Sequence, residues 1–373
     1  MEVFINNKEL AIAASRIAGA TSERSMAQIG IKVSDGELTF FANDTMLAIY
    51  CTLPCEVKKP GDIFIPAKLF LEVVRELPNG DIHFVTDAAW LNIKGGPSES
   101  YSVKLPLISE LSWREAPNLK TSNRCQIPAS KLYYMIQQVQ FSIAYDSPRN
   151  FGNVGYLQKS KDGTLRLVGT DSFRLSYSEA DVSLGSQFLE SGVCLSKRAL
   201  AELGRIASEG SEFVDIAISP DGSTLLAEIP NCKMFIRLSS VKYPNYQNVF
   251  PSKQLNSVNI NRATLQAVTK RVLITADKSR ALQLRFSPSS LTISSRTVGK
   301  TEGKEDLDLQ DYQGESRNLA VNGKFFSDVF STTSSDTLTL KFDSEDDPIV
   351  ITPNVEPDGC KSMHVLVPIK DSH

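Results

Sequence analysis

Histidine is scarce in this chain: His83, His364 and His373 are the only three in 373 residues. Three dispersed imidazoles are too few for a zinc site and leave a Ser/His/Asp triad almost nothing to draw on. The six cysteines, Cys51, Cys55, Cys125, Cys194, Cys232 and Cys360, include no Cys-x-x-Cys, so they read as reduced packing residues. No apolar run approaches the roughly 20 residues that span a bilayer. The opening Met1-Glu2-Val3-Phe4-Ile5 lacks the basic start and small-residue cleavage site of a secretory signal. A cytoplasmic protein with no membrane partner, no metal and no cofactor is expected. Net charge is also small, at -3, which alone gives no case for a polyanionic partner.

Catalytic motifs are missing as well. No Gly-x-Ser-x-Gly occurs. Gly299-Lys300-Thr301-Glu302-Gly303-Lys304 has the composition of a phosphate loop, but the spacing is wrong and Glu305 follows where Ser or Thr is required. It reads as a solvated hairpin tip. The acidic run Glu345-Asp346-Asp347 meets Pro348 at once and reads as a charged turn. The chain is not expected to be an enzyme.

What the sequence does contain is repetition, which has to be found before any motif is interpreted. Asp35-Gly36-Glu37-Leu38-Thr39-Phe40 recurs as Asp162-Gly163-Thr164-Leu165-Arg166-Leu167 and, less closely, as Pro288-Ser289-Ser290-Leu291-Thr292-Ile293, with leucines 127 and 126 residues apart. A second landmark, an apolar residue, a short turn and a lysine opening a helix, runs Ile65-Pro66-Ala67-Lys68, Leu195-Ser196-Lys197 and Val321-Asn322-Gly323-Lys324, with lysine steps of 129 and 127. Two independent landmarks agree on one unit used three times.

Helical spacing of apolar residues predicts two amphipathic helices per unit, over 7–19, 67–77, 129–141, 196–208, 261–273 and 322–333. Short alternating runs bounded by turn residues separate them, implying antiparallel sheets covered by helices, an α+β fold. Polar, Pro-containing stretches at 117–124 and 251–256 suggest linkers, giving domains 1–120, 124–250 and 255–373.

Charge is unevenly distributed. The six helical segments hold twelve basic residues, including Lys197, Arg198 and Arg205, against five acidic ones, a surplus of seven, while the rest of the chain carries -10. That is the footprint of helices facing a polyanion. Arg198 and Arg205, at i and i+7, are expected to point outward, away from Leu200 and Leu203.

Thr170-Asp171-Ser172-Phe173-Arg174-Leu175, after the strand-like Leu165–Val168, resembles the bacterial sliding clamps, the β subunits of DNA polymerase III. Three further stretches match in order: Arg149-Asn150-Phe151-Gly152-Asn153, Tyr243-Pro244-Asn245-Tyr246-Gln247-Asn248-Val249-Phe250-Pro251, and Val365-Leu366-Val367-Pro368-Ile369-Lys370. The resemblance covers essentially the whole chain. It implies three clamp domains with sheets outside and two helices inside each. It also implies a head-to-tail homodimer that closes as a ring of six domains around duplex DNA, without sequence preference. Such a protein does no chemistry. It is placed on DNA by a clamp loader and tethers DNA polymerases and repair factors through short Leu/Phe-anchored peptides. A cytosolic peptide-binding scaffold that never meets DNA is the alternative reading.

The resemblance also implies sites. The peptide pocket would be lined by Thr170, Ser172, Phe173, Arg174, Leu175, Pro244, Val249, Pro348, Val365, Val367, Pro368 and Ile369. Burying two anchors at about 1.5–3 kcal/mol each, less ordering costs, suits a micromolar, exchangeable contact. Arg24, Arg149, Asn150 and Phe151 match DNA-contacting loops, and Leu273 and Ile274 match an apolar subunit interface. Phe173 stands where His is usual, Asn248 where Arg is frequent and Pro348 where Ser is common, while Asp371-Ser372-His373 extend past the usual end.

Overall fold

A computed structural model of the chain describes residues 1–21, 27–109, 111–251, 253–297 and 299–369. Among these lie six α-helices: α1 (Asn7–Ala18), α2 (Ala67–Arg75), α3 (Ala129–Val139), α4 (Lys197–Ala207), α5 (Arg262–Leu273) and α6 (Gly323–Thr332). Each begins on the residue after a strand. The junction residue therefore serves as N-cap in several cases, its side chain accepting from an otherwise unpaired N–H of the first turn. Asn261 Oδ1 accepts from Thr264 N at 2.9 Å, and Asn322 Oδ1 from Lys324 N at 3.0 Å and Phe325 N at 3.2 Å. The buried stripes fall at the expected spacing, Leu10, Ala13, Ala14 and Ile17 on α1 and Phe326, Val329 and Phe330 on α6. Leu69 on α2 is instead exposed.

The chain divides into two compact units. The first is Met1–Ala129 with Arg205–Leu238. Its larger sheet has eight antiparallel strands in the order Arg124–Pro128, Phe213–Ile218, Thr224–Ile229, Cys232–Arg237, Leu47–Pro54, Glu37–Asn43, Gln28–Ser34 and Gly61–Pro66. Its smaller sheet runs Glu56–Lys59, Glu2–Asn6, Asp81–Thr86, Trp90–Gly95 and Tyr101–Pro106. The second unit is Ser130–Gly204 with the described residues from Ser239 onward. Its eight strands run Val193–Ser196, Val154–Lys159, Leu165–Thr170, Arg174–Ala180, Cys360–Leu366, Ile349–Pro353, Thr337–Phe342 and Asn256–Asn261. Its four-stranded sheet runs Thr301–Asp308, Ser290–Thr297, Ala281–Ser287 and Arg317–Asn322.

The threefold repeat is now visible as structure. Each repeat runs strand, helix, four strands, helix, three strands, with the short strand Glu56–Lys59 added in the first. Each eight-stranded sheet is two such half-sheets joined edge to edge. One seam pairs Leu47–Pro54 with Cys232–Arg237, and the other pairs Arg174–Ala180 with Cys360–Leu366. The repeated Asp-Gly pairs are hairpin turns. Asp35 (φ 50°) and Gly36 (φ 80°) both take the left-handed conformation of a two-residue turn that matches strand twist. The third copy, Pro288-Ser289, turns without it.

Alternation sorts the sheet faces. In the first unit Phe40 faces α2, its ring 5.6 Å from that of Phe70, and Phe41 faces the other way. That second face is covered by the chain after Pro106. Ile108, Trp113, Ala116 and Leu119 pack against Phe41, Tyr50, Phe64, Leu226 and Phe235. This apolar strap precedes the expected linker at 117–124 and overlaps it at Leu119. The second unit repeats the device, with Tyr243, Tyr246 and Phe250 on Val168, Leu175, Val350 and Val365. Gly299 and Lys300 lie at a hairpin tip, whereas Thr301 to Lys304, expected in the same tip, belong to the strand Thr301–Asp308; Ser344–Asp347 is a turn held by Asp347 Oδ2, as expected. Among the described residues no helix is long and apolar enough to cross a membrane.

Candidate functional site

The turn between Thr170 and Arg174 is built by one carboxylate. Asp171 Oδ1 accepts from Phe173 N and Arg174 N, both at 3.0 Å, an Asx-turn that satisfies two backbone donors at once. Thr170 Oγ1 accepts from Ser172 N at 3.1 Å and donates to Arg174 O at 2.6 Å, so Ser172 is held at φ 80°. Asp171 Oδ2 also accepts from Arg174 Nε at 2.9 Å, and Asp328 of α6 accepts from Arg174 Nη1 at 2.6 Å. The buried Arg174 guanidinium lies 4.1 Å from the centroid of the Phe325 ring. A buried, doubly paired arginine of this kind locks the turn to α6.

The seam then brings the C-terminal strand alongside. Arg174 faces Leu366 and Leu175 faces Val365 across it, and Val367 N donates to Phe173 O at 3.0 Å. Ile369 N donates to Ala320 O at 2.7 Å. The expected pocket residues Thr170 to Leu175 and Val365 to Ile369 are therefore neighbours in space. They differ in depth. Leu175, Val365 and Pro368 are buried, whereas Phe173 is 64% and Val367 41% exposed, two apolar side chains in water beside each other's backbone. Pro244 and Val249 lie exposed on the strap, and Pro348 is half-buried next to the strand Ile349–Pro353. Asn248 is exposed on the same strap.

The first unit contains a copy of this turn that sequence reasoning missed. Asp44 Oδ1 accepts from Met46 N at 2.7 Å and Leu47 N at 2.8 Å, and Arg237 N donates to Met46 O at 2.9 Å. The signal was present, since Asp44 and Asp171 are 127 residues apart, the step already found for the leucines.

One polar cluster near the seam invites a catalytic reading. Ser176 Oγ lies 2.6 Å from Ser142 Oγ and 2.9 Å from His364 Nδ1. All three are buried, and burial pushes the His364 pKa down to about 3. Burial keeps the imidazole neutral, and the three groups form a packing network.

The nucleic-acid candidates divide. Arg24 lies outside the described residues. Arg149 and Asn150 are exposed at a loop, while the Phe151 ring packs edge-on against Tyr243 at 6.5 Å. Lys197 is half-buried, donating to Ile143 O at 2.6 Å, with its ammonium 4.1 Å from the centroid of the exposed Tyr145 ring. Burial lowers its pKa. Arg198 is half-buried. Arg205 is half-buried and its charge is paired. It donates to Glu209 at 3.1 Å and to Arg16 O at 2.9 Å, and Arg16 shares the same carboxylate at 2.6 Å. Glu209 lies one residue beyond the helical segment counted in sequence, so the surplus of seven overstated the free charge.

Two of the sheets' end strands stand out by their place in the repeat. Tyr101–Pro106 has only Trp90–Gly95 beside it, and Thr301–Asp308 only Ser290–Thr297, among the described residues. In the repeat these are the two kinds of strand that pair at the internal seams. One holds Glu302, Glu305, Asp306 and Asp308 with a single Lys304, and the other holds Lys104 and no acid. The expected interface residues sit at the acidic edge. Thr275 O, just past α5, accepts from Thr297 Oγ1 at 3.0 Å and Thr301 Oγ1 at 3.1 Å. Ile274 beside it is 82% exposed. Leu273 instead packs partly into the core of the second unit.

Comparison with known proteins agrees along the whole length. Family models for the N-terminal, central and C-terminal domains of the DNA polymerase III beta subunit match residues 1–112, 126–245 and 247–369. The beta sliding clamp of Chlamydia muridarum is 24% identical over 376 aligned residues, covering 99% of each chain. That of Halalkalibacterium halodurans is 26% identical over 388, covering 99% and 98%. The DNA polymerase III beta subunit of Thermotoga maritima superposes with a TM-score of 0.90 at 20% identity, covering 99% of both chains. The Bartonella birtlesii sliding clamp does so at 0.90 and 23%, also covering 99% of both. A chain of three repeats with seam-joined sheets, matched domain by domain in this way, belongs to the DNA polymerase III beta subunits, the DNA sliding clamps, which serve replication as processivity factors and not as enzymes.

Proposed function

We propose that two copies of this chain join head to tail through their open edges, Thr301–Asp308 of one against Tyr101–Pro106 of the other, and close around duplex DNA. The carrying observation is the seam. Twice within the chain a strand of the first kind pairs antiparallel with a strand of the second, and one of each is left over. An unpaired edge is a template for another strand, and opposite charge favours unlike edges over like ones. Two such contacts related by a twofold axis use up every edge of these kinds, so the assembly stops at a pair. With repeats at 1–120, 124–250 and 255–373, the closed pair has six.

Arg24, Arg149 and Asn150 then serve as sequence-independent phosphate contacts, weak enough to allow sliding. The exposed Phe173 and Val367, with Val249 and Pro244 at the rim and Leu175 and Val365 below, take the Leu/Phe-anchored peptides of polymerases, repair factors and the clamp loader in the cytoplasm. Sedimentation equilibrium at micromolar concentration tests the closure. The mass should be twice the 41.0 kDa of one chain. A single-chain mass, or an open series of higher masses, would reject it.

A further inference from the structure

Neither Cys51 nor Cys232 belongs to a redox motif, and they are 181 residues apart, yet the first unit brings them together. They face each other directly across the seam, on Leu47–Pro54 and Cys232–Arg237. Thr52 N donates to Asn231 O at 2.9 Å, which makes 51/232 a non-hydrogen-bonded pair. That is the antiparallel position where facing Cα atoms are closest, about 4.5 Å apart. Such a spacing lies within the roughly 4.4–6.8 Å that a disulfide requires. Cys51 Sγ already lies 3.3 Å from Cys232 Sγ, donating its S–H. The sulfurs of Cys125 and Cys194, by contrast, are turned to backbone carbonyls, each at 3.4 Å.

The surroundings favour a reactive partner. Arg16 Nη1 reaches Pro230 O at 3.3 Å, two residues before Cys232. The hydrogen bond from Cys51, together with the charges of Arg16 and Arg205, holds the Cys232 thiol below its usual range, while the same bond and burial push Cys51 up. Cys51 and Cys232 are themselves covered, at 0% and 3% exposure, but the side chains of Arg16 and Glu209 beside them are 12% and 21% exposed. This end of the seam is closed by an ion pair at the surface.

We propose that Cys51 and Cys232 form a peroxide-responsive thiol pair whose oxidation to a disulfide staples the first repeat to the central repeat across their shared sheet. The Cys232 thiolate attacks one oxygen of hydrogen peroxide, and the O–O bond breaks. Hydroxide leaves and takes a proton to become water, and Cys232 becomes a sulfenic acid. The Cys51 sulfur then attacks the Cys232 sulfur. The S–O bond breaks, and the second water leaves carrying the Cys51 thiol proton. Two thiols lose two electrons and two protons, and the peroxide is reduced to two waters.

The test uses the full chain, reduced and then treated with hydrogen peroxide, unfolded in alkylating reagent and analysed by intact mass and peptide mapping. Two of the six thiols should escape alkylation, with one peptide linking Cys51 to Cys232 that dithiothreitol releases. In Cys51→Ser, Cys232 should instead stop at a sulfenic acid that dimedone traps. Oxidised wild type should unfold a few degrees above the reduced protein, a reading that needs no variant. Six alkylated thiols after peroxide that consumes glutathione in the same tube would overturn the proposal. So would linkage to another cysteine, or linkage that forms only in urea.

Discussion

Phe173 and Arg174 are adjacent in sequence and opposite in role, and the contrast yields a prediction. Phe173 is exposed and packs on nothing it must hold, so Phe173→Ala should leave stability unchanged. The same change should weaken a Leu/Phe-anchored peptide about tenfold by fluorescence polarisation. Arg174 is buried between Asp171 and Asp328. Arg174→Ala strands two carboxylates and should cost about 3 kcal/mol in urea unfolding. Equal effects of both changes on stability would contradict the assignment. His364 gives a second residue-scale prediction. Unfolded, it binds a proton near pH 6.5; folded, only at about 3. Its contribution is therefore complete above pH 6.5 and is lost as pH falls toward 3, at up to about 1.4 kcal/mol per pH unit. His364→Gln should flatten that part of the stability curve, and an unchanged acid slope would place the titration elsewhere. At this scale the sequence displayed the motif Thr170 to Leu175 but not the partners. Asp328 as a neighbour of Arg174, and Glu209 as a neighbour of Arg16, are invisible until the chain is folded.

The elements themselves were largely readable. All six expected helices stand within about two residues of their ends, because the apolar stripe and the strand-to-helix junction are both local signals. The straps are not legible in the sequence, because their apolar residues, Trp113 and Leu119 or Tyr243 and Phe250, have no period, and their burial depends on a distant sheet face. Strand pairing was equally out of reach, since the seams join segments about 180 residues apart. The open edges that result carry the element-scale prediction. Ile274→Asp, at the acidic edge, removes the burial of one large side chain and adds like charge. The pair should dissociate about 10- to 100-fold more readily in sedimentation, with the helix content of each chain unchanged. Undiminished association would place the contact away from α5.

For the whole molecule, repetition was the most informative property of the sequence, because two landmarks with the same step define three equivalent units before any element is assigned. The charge count pointed to a polyanion, though several of the counted cations are held internally, Arg271 by Glu305 as well as Arg16 and Arg205 by Glu209. A sliding clamp holds DNA by topology, with contacts too weak to hold it otherwise. The decisive measurement is retention on DNA: the protein is loaded onto a nicked circle by a clamp loader, the circle is cut once, and the protein still bound is counted. Retention on the closed circle followed by loss within minutes of cutting is the predicted result. Equal retention on circular and linear DNA would show that the chain binds DNA without encircling it.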